Sequence, residues 1–147
     1  MMEKTWGVFA LILSDKGDKK VLLTERTDWS GWNLPGGCVL MGETNSQALI
    51  CQVRRATGLR VEILEQVGPS HDCGDDSAIA YCCRVVGGQL LPVTKQVKSN
   101  RYVSVGEAKT LNFVGLIGRL GRMGRMIYDG FSIMEEPVCG PTQSPPE

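Results

Sequence analysis

Two adjacent arginines downstream of a glycine pair are the residues of this chain best suited to binding an anion. In the stretch CQVRRATG, Arg54 and Arg55 carry fixed positive charges, and a guanidinium group matches phosphate oxygens two at a time. Gly36 and Gly37 lie upstream in NLPGG, where a proline and two glycines predict a tight backbone path. The first carboxylate after the glycine pair is Glu43, and the next eighteen residues contain neither aspartate nor glutamate. The pattern favours direct phosphate binding over a site rich in metal ligands.

Acidic and aromatic side chains elsewhere offer further ligands. Asp75 and Asp76 lie with His71 and Asp72 in PSHDCGDDS, a loop whose acidic cluster can bind a cation or supply a base. A solvated turn is the alternative explanation for this loop. Either tryptophan of DWSGW, Trp32 included, can stack on a nucleobase or cover the core.

Composition sets the class of protein. A chain of 147 residues is long enough for one domain with a real core. Its 42% apolar and 22% charged residues are typical of a soluble globular protein. Basic and acidic residues balance at 16 each, so overall charge does not point to nucleic acid or membrane. The apolar run MMEKTWGVFALIL is too short to span a bilayer and has no cleavage site, and we expect a cytoplasmic protein.

The cysteines do not form a zinc motif, because none are spaced as CxxC and the chain has one histidine. We expect reduced thiols. Most of them should be buried as small hydrophobic side chains. They are Cys38, Cys51, Cys73, Cys82, Cys83 and Cys139.

The elements that must position these residues follow from local patterns. TWGVFALIL and KVLLTER predict a β-hairpin, and CVLM predicts a short strand or an extended segment. A helix should begin at a cap on Thr44 or Asn45 and run to Thr57, with Gly58 ending it. Its apolar stripe should comprise Leu49, Ile50 and Val53.

Three later segments, LRVEILEQV, SAIAYCCRVVG and RYVSV, predict strands, and GEAKTL predicts a short helical turn. Glu62 and Glu65 lie three residues apart on the first of these strands. We therefore expect their side chains on opposite faces, where they cannot easily form one site.

The C-terminal part should contain a last helix, NFVGLIGRLGRMGRMIYDGF, and then a tail rich in proline and polar residues. We expect one domain over residues 1–131 and a disordered tail over residues 132–147. Arg119, Arg122 and Arg125 recur every third residue on this helix, a stripe that can contact nucleic acid or an acidic partner. An ordinary solvated face is the alternative. The glycines beside the arginines suggest close packing against the sheet or another subunit, which would allow a homodimer.

A longer stretch, WNLPGGCVLMGETNSQALICQVRRATGL, resembles the Nudix box of a hydrolase family with its usual lead-in. The family pattern is G-x5-E-x7-R-E-U-x-E-E-x-G-U, in which U is a bulky aliphatic residue. This chain matches both glycines, the first glutamate and both aliphatic positions, which are Gly37, Glu43, Val53, Gly58 and Leu59. The flanks VLLTERT and RYVSVGEAKTL resemble the family too, so the resemblance covers about Thr5 to Phe131. It implies an α+β fold, the α/β/α sandwich with a mixed sheet.

The resemblance also implies a chemistry, the cleavage of a nucleoside diphosphate linked to another moiety. In the family, magnesium or manganese ions bridge the pyrophosphate while water attacks phosphorus, and carboxylates at i, i+3 and i+4 of the box helix hold the ions. In this chain those positions are Gln52, Arg55 and Ala56, and Cys51 replaces the box arginine. The loop of Gly36 and Gly37, which approaches phosphate in the family, is retained. The metal ligands left to this chain are Glu43, Gln52, Asp75 and Asp76.

Three functions remain open on the sequence. The first is a Nudix-fold protein that binds a nucleoside diphosphate or pyrophosphate-type ligand, through Arg54 and Arg55, with weak or absent hydrolysis. The second is a metal-dependent pyrophosphohydrolase in which Glu43 is the catalytic carboxylate and acts with acids outside the box. The third is an interaction module that contacts nucleic acid or protein through the basic C-terminal helix. Solvated arginines in a drifted box are the alternative to the first.

Overall fold

The computed structural model describes most of the chain as seven strands and two helices. It describes residues 5–14, 16, 19–27, 31–73, 76–108, 111, 129–130 and 132–133, with backbone alone for residues 5, 68–73 and 76. In chain order the elements are β1 Thr5–Ile12, β2 Lys20–Arg26, β3 Trp32–Asn33, β4 Gly36–Cys38, α1 Asn45–Thr57, β5 Leu59–Cys73, β6 Asp76–Gly88, β7 Val97–Ser104 and α2 Val105–Ala108.

The strands form two sheets. The larger is mixed and has the order β4-β1-β6-β5. Within it, β1 pairs parallel with β6 and antiparallel with β4, and β5 pairs antiparallel with β6. The smaller sheet has the order β3-β2-β7 and is antiparallel. A mixed sheet with a helix packed on it gives the described part of the chain its α+β character.

The predicted hairpin of the first two strands is wrong as a strand pairing. The chain does turn back between the two strands. Leu13 forms an isolated bridge with Val21, and the Ser14 N–H donates to the Lys20 carbonyl at 2.9 Å. Beyond this point the strands separate into different sheets. The reason is that β1 is already paired along both of its edges, with β4 and β6.

Two hydrophobic cores lie on opposite faces of β1, as strand alternation requires. Val8, Ala10 and Ile12 face the core beneath α1, whereas Leu11 and Leu13 face the other core. The smaller sheet contributes to both cores, since neighbouring residues of β2 point to different ones. The two sheets therefore act as one layer, with α1 on one side.

Helix α1 has the bounds that the sequence predicts, because local signals fix both ends. The Thr44 side chain accepts from the Gln47 N–H and the Gln47 side chain accepts from the Thr44 N–H, which is a capping box. Gly58 ends the helix with φ 82°, a left-handed conformation that favours glycine. The predicted apolar stripe is wrong at Ile50, which is 41% exposed, and Ala56 lies on the buried side instead.

The predicted loop PSHDCGDDS is largely strand. The β5–β6 ladder continues to the pairs His71↔Ala78, Asp72↔Ser77 and Cys73↔Asp76. Turn-forming residue types do not prevent backbone pairing, and the neighbouring strand supplies a partner for each of these residues. Asp75 lies outside the described residues.

The expectation that Glu62 and Glu65 face opposite sides is also wrong. Glu62 pairs with Arg84 and Glu65 pairs with Cys82, two β6 residues that share a face, because the register shifts between Ile63 and Glu65. Such a bulge inserts one residue and reverses the alternation beyond it. Glu62 forms an ion pair with Arg84 on this exposed edge.

The predicted C-terminal helix and its arginine stripe lie almost wholly outside the described residues, although its residues 129–130 are helical, as are residues 132–133 of the predicted tail. Residues 134–147 of the predicted tail also lie outside them. Among the residues that the structure describes, no helix has the length and apolar character that crossing a bilayer needs.

Candidate functional site

The two glycines before the helix allow two close contacts. A Cβ on Gly37 would lie 2.9 Å from the Gln52 Cδ, so this glycine lets α1 approach β4. A Cβ on Gly36 would lie 2.1 Å from the Val8 carbonyl oxygen, so this position cannot carry a side chain. The glycine pair thus fixes where the edge strand β4 meets the middle of α1.

Strand β4 turns part of its backbone away from its partner. The Pro35 carbonyl accepts from the Ala10 N–H at 2.8 Å, and the Val39 N–H donates to the Trp6 carbonyl at 2.9 Å. Because backbone direction alternates along an antiparallel ladder, Gly36 and Cys38 direct their N–H and C=O groups away from β1. The Cys38 carbonyl accordingly accepts from Gln52 Nε2 at 3.3 Å.

Glu43 braces the loop that leads into the helix. Its Oε1 accepts from the Leu40 N–H at 2.9 Å, and its own N–H donates to the Leu40 carbonyl at 3.0 Å. The residue is half-buried and directly precedes the Thr44 cap. One oxygen of this carboxylate is therefore engaged in holding a turn.

The family pattern has carboxylates at positions 52, 55 and 56 of α1. Positions 52 and 55 lie on the exposed edge of the helix, called the rim below, whereas position 56 lies on its buried side. At about 100° per residue, Arg55 lies about 60° from Gln52, whereas Arg54 lies about 160° away, on the far side. Both arginines are exposed. Arg55 Nη2 also contacts the exposed Cys51 Sγ at 3.6 Å. Helical spacing thus places Arg55 next to Gln52, which contacts Gly37, and leaves Arg54 facing away from Gln52.

Position 56 faces the smaller sheet. Ala56 is 6% exposed, and its carbonyl accepts from Asn100 Nδ2 at 2.7 Å. Asn100 also donates to the Leu91 carbonyl at 2.9 Å and accepts from Thr24 Oγ1 at 2.7 Å. This buried network ties the C-terminal turn of α1 to β2 and β7.

The predicted acidic ligands are only partly placed. Asp76 begins β6 opposite Thr5, at the end of the sheet where Gly7 pairs with Cys38. Asp75 lies outside the described residues, and the side chain of Asp76 is not described. Among the described side chains, no group of three or more histidine, cysteine, aspartate or glutamate residues is arranged to hold a metal ion.

Trp32 has a charged neighbour that the sequence did not predict. The indole packs against the core opposite α1. The Arg101 guanidinium carbon lies 5.2 Å from its ring centroid, which is a cation–π contact. Arg101 Nη1 also pairs with Glu107 Oε2 at 3.1 Å. Neither Asn100 nor Arg101 has a local sequence signal, because their partners lie on other elements.

The described cysteines do not share one environment. Burial, with a smaller effect from Glu65, raises the pKa of Cys82 to about 11. Burial, with a smaller effect from Cys82, raises the pKa of Cys83 to about 12. These two thiols stay protonated at neutral pH and are not nucleophiles, as expected for core residues. Cys38 and Cys51 are exposed, so the expectation of burial is wrong for them.

The chain resembles known proteins over most of its length. A sequence model of the NUDIX domain matches residues 3–117. A protein of Bacillus subtilis (strain 168), provisionally named 8-oxo-dGTP diphosphatase, is 26% identical over 103 residues, which are 69% of this chain and 68% of that protein.

Solved structures agree in fold. The crystal structure of a UDP-X diphosphatase matches 90% of this chain with a TM-score of 0.69 and 14% identity, but this chain covers only 64% of its length. An ADP-ribose pyrophosphatase from Streptococcus suis 89-1591 matches 90% of this chain and 92% of its own, with a TM-score of 0.68 and 20% identity.

The three named proteins differ in the substrate that their names state, so likeness to them does not select a substrate. The two solved structures share the fold of this chain, and the predicted fold class, the Nudix α/β/α sandwich with a mixed sheet, is confirmed. The NUDIX match spans most of the chain and includes the glycine loop, α1 and both sheets. The chain belongs to the Nudix family.

Proposed function

We propose that this protein binds a nucleoside diphosphate or another pyrophosphate-type ligand and hydrolyses it weakly or not at all. The observation that carries the proposal is the rim of α1 beside the glycine loop. It presents the guanidinium of Arg55 and the amide of Gln52 where the family pattern has carboxylates. A positive charge at this place attracts phosphate without a metal ion.

The side chains at the box do not fit a divalent metal ion. Nudix proteins generally use such ions, which prefer several hard oxygen ligands. Gln52 holds its amide against Gly37 and donates to the Cys38 carbonyl, and Glu43 already uses one oxygen to brace Leu40. Arg55 would repel a cation. We therefore infer that the usual magnesium or manganese site is degraded.

The same arrangement suits a phosphate group. The N–H groups of Gly36 and Cys38 point away from β1, on the side where Gln52 contacts the strand. Arg55 lies on the neighbouring rim of α1 and can form a bidentate contact with phosphate oxygens. Backbone donors and one guanidinium can hold a diphosphate. They do not activate a water molecule, because that needs a metal ion or a general base.

The arginines also have a purely structural explanation. Arg54 and Arg55 lie in the last turn of α1, where positive charge interacts favourably with the helix dipole. On that explanation the two arginines are equivalent. On the phosphate-binding proposal only Arg55 contributes, because only Arg55 lies on the same side of the helix as Gln52.

Metal-dependent hydrolysis is the second candidate. The first residue of β6, Asp76, lies at the same end of the larger sheet as Cys38, the last residue of β4. In this candidate Glu43 acts with Asp75 and Asp76 on one metal ion.

A hydrolysis assay separates the two candidates. We expect purified protein to turn over nucleoside diphosphate derivatives at most marginally above background with magnesium or manganese, because carboxylates are missing from positions 52, 55 and 56. Phosphate release measured with and without a chelator is the readout. Robust turnover that the chelator and Glu43→Gln both abolish would establish the second candidate and refute the first.

A further inference from the structure

The rim of α1 offers hydrogen-bond donors rather than metal ligands. No residue of α1 is an aspartate or a glutamate. Gln52 uses its amide inside the fold, because Oε1 lies 3.0 Å from where a Cβ on Gly37 would be and Nε2 donates to the Cys38 carbonyl at 3.3 Å. The groups that the rim and the glycine loop leave for a ligand are N–H groups, those of Gly36, Cys38 and the Arg55 guanidinium.

The carboxylate that precedes the helix is already in use. Glu43 Oε1 accepts from the Leu40 N–H at 2.9 Å, and the Glu43 N–H closes the same turn on the Leu40 carbonyl at 3.0 Å. A metal ion that took both oxygens of this carboxylate would leave the Leu40 N–H without its acceptor. Glu43 therefore has one oxygen to offer, whereas Mg²⁺ requires an octahedral set of oxygen ligands.

A diphosphate that carries magnesium differs as a ligand from the free anion. In nucleotide sites Mg²⁺ binds phosphate oxygens, keeps several water molecules and takes one or two carboxylates from the protein. The ion cancels much of the phosphate charge and occupies oxygens that N–H groups would otherwise bind. Its water molecules donate hydrogen bonds because their lone pairs face the ion. A surface of donors therefore matches the free anion better than the magnesium complex.

The charge of Arg55 adds repulsion to this mismatch. Its guanidinium is permanently protonated and lies on the rim in the last turn of α1. Among the described side chains its contact is Cys51 Sγ at 3.6 Å, and no carboxylate there forms an ion pair with it. Nothing in these contacts neutralises the charge, so a cation bound to the same diphosphate would be repelled.

We propose that magnesium antagonises ligand binding at this site, because the site takes the metal-free diphosphate and discriminates against its magnesium complex. Nudix proteins generally use divalent metal ions, so the magnesium dependence of this chain is opposite in sign. The inference rests on the proposed function, since the same groups hold the diphosphate. It adds the ionic form of the ligand and makes free magnesium a regulator of how much ligand is bound.

The test titrates ADP calorimetrically into wild-type protein at constant ionic strength. One series contains a chelator and the other contains magnesium chloride in large excess over ADP. We expect the apparent affinity for ADP to be about tenfold lower, or less, in magnesium, when almost all ADP carries the ion.

Two variants show whether the rim sets the sign of this effect. Gln52→Glu/Arg55→Glu puts two carboxylates on the rim, which repel the free diphosphate and can hold its magnesium complex. ADP should therefore bind this variant more tightly with magnesium than with the chelator. Arg54→Glu is the matched control, because it reverses a charge on the far side of the same turn and should keep the wild-type sign.

The outcomes separate this inference from the proposed function. If ADP binds wild-type protein with the chelator and equally well or better with magnesium, the antagonism is refuted while diphosphate binding stands. A reversed sign in Arg54→Glu would refute it too, because the effect would then follow net charge and not the rim. If ADP does not bind wild-type protein with the chelator, the proposed function and this inference fail together.

Discussion

The double variant Gln52→Glu/Arg55→Glu should bind magnesium roughly tenfold more tightly than wild-type protein, or better. It replaces an amide and a cation with two carboxylates at i and i+3 on the rim of α1, where helical spacing makes them neighbours. Because the position is exposed, solvent screening keeps the gain well below the value for a buried pair. Hydrolysis need not return, since Cys51 still lacks the guanidinium of the family pattern.

Position 56 stays alanine in this variant, although the family pattern has a third carboxylate there. Ala56 is 6% exposed and its carbonyl lies in the Asn100 network, so a glutamate would bring charge into a packed region. Calorimetric titration of magnesium at constant ionic strength measures the gain. The control Gln52→Glu/Arg54→Glu makes the same charge change but puts the second carboxylate on the far side of the helix, and an equal gain in that variant would show that the box is wrongly placed.

Asn100→Asp should lower the free energy of unfolding by about 3 kcal/mol or more. Asn100 is 4% exposed and donates two hydrogen bonds, to the carbonyls of Ala56 and Leu91. An aspartate of the same shape cannot donate them when ionised, and it sets a buried negative charge against both carbonyl oxygens. The cost therefore includes two unsatisfied acceptors and an unpaired charge.

Urea denaturation at neutral pH measures this loss. Lys98→Ala, an exposed change on the same strand, is the control and should shift the free energy of unfolding by about 0.5 kcal/mol or less. A loss for Asn100→Asp as small as that of the control would mean that the network does not hold α1 to the smaller sheet.

The helix of the candidate site could be predicted from the sequence because the signals that begin and end it are local. Thr44 and Gln47 form the capping box and Gly58 adopts the left-handed end, and these signals depend on neighbours within a few residues. The family pattern then located Gly37 and Gln52, although it did not predict that they touch.

Strand partners and face assignments could not be predicted in the same way. The pairing of β1 with β6 joins residues about 70 positions apart, and one bulge near Leu64 moved Glu62 and Glu65 to the same face. Such choices depend on which edges are free and on how the chain packs.

Within the site, Arg54 and Arg55 were equally good candidates for binding phosphate on the sequence alone. Helical spacing separates them, but the side that meets the glycine loop became clear only from the contact between Gln52 and Gly37. Asn100 was missed because a polar residue in a strand gives no sign of the carbonyls it meets, and Arg101 was missed because Trp32 lies across β2 from it.

The most direct measurement of the central claim is a calorimetric titration of ADP into wild-type protein, Arg55→Ala and Arg54→Ala, with a chelator present. We expect ADP to bind wild-type protein without metal and more weakly as salt rises. Arg55→Ala should lose about 1.5–3 kcal/mol of binding free energy, whereas Arg54→Ala, an exposed arginine on the other side of the same turn, should bind as wild type does. No metal-free binding at millimolar ADP, or equal affinities for the two variants, would contradict direct phosphate binding at this site.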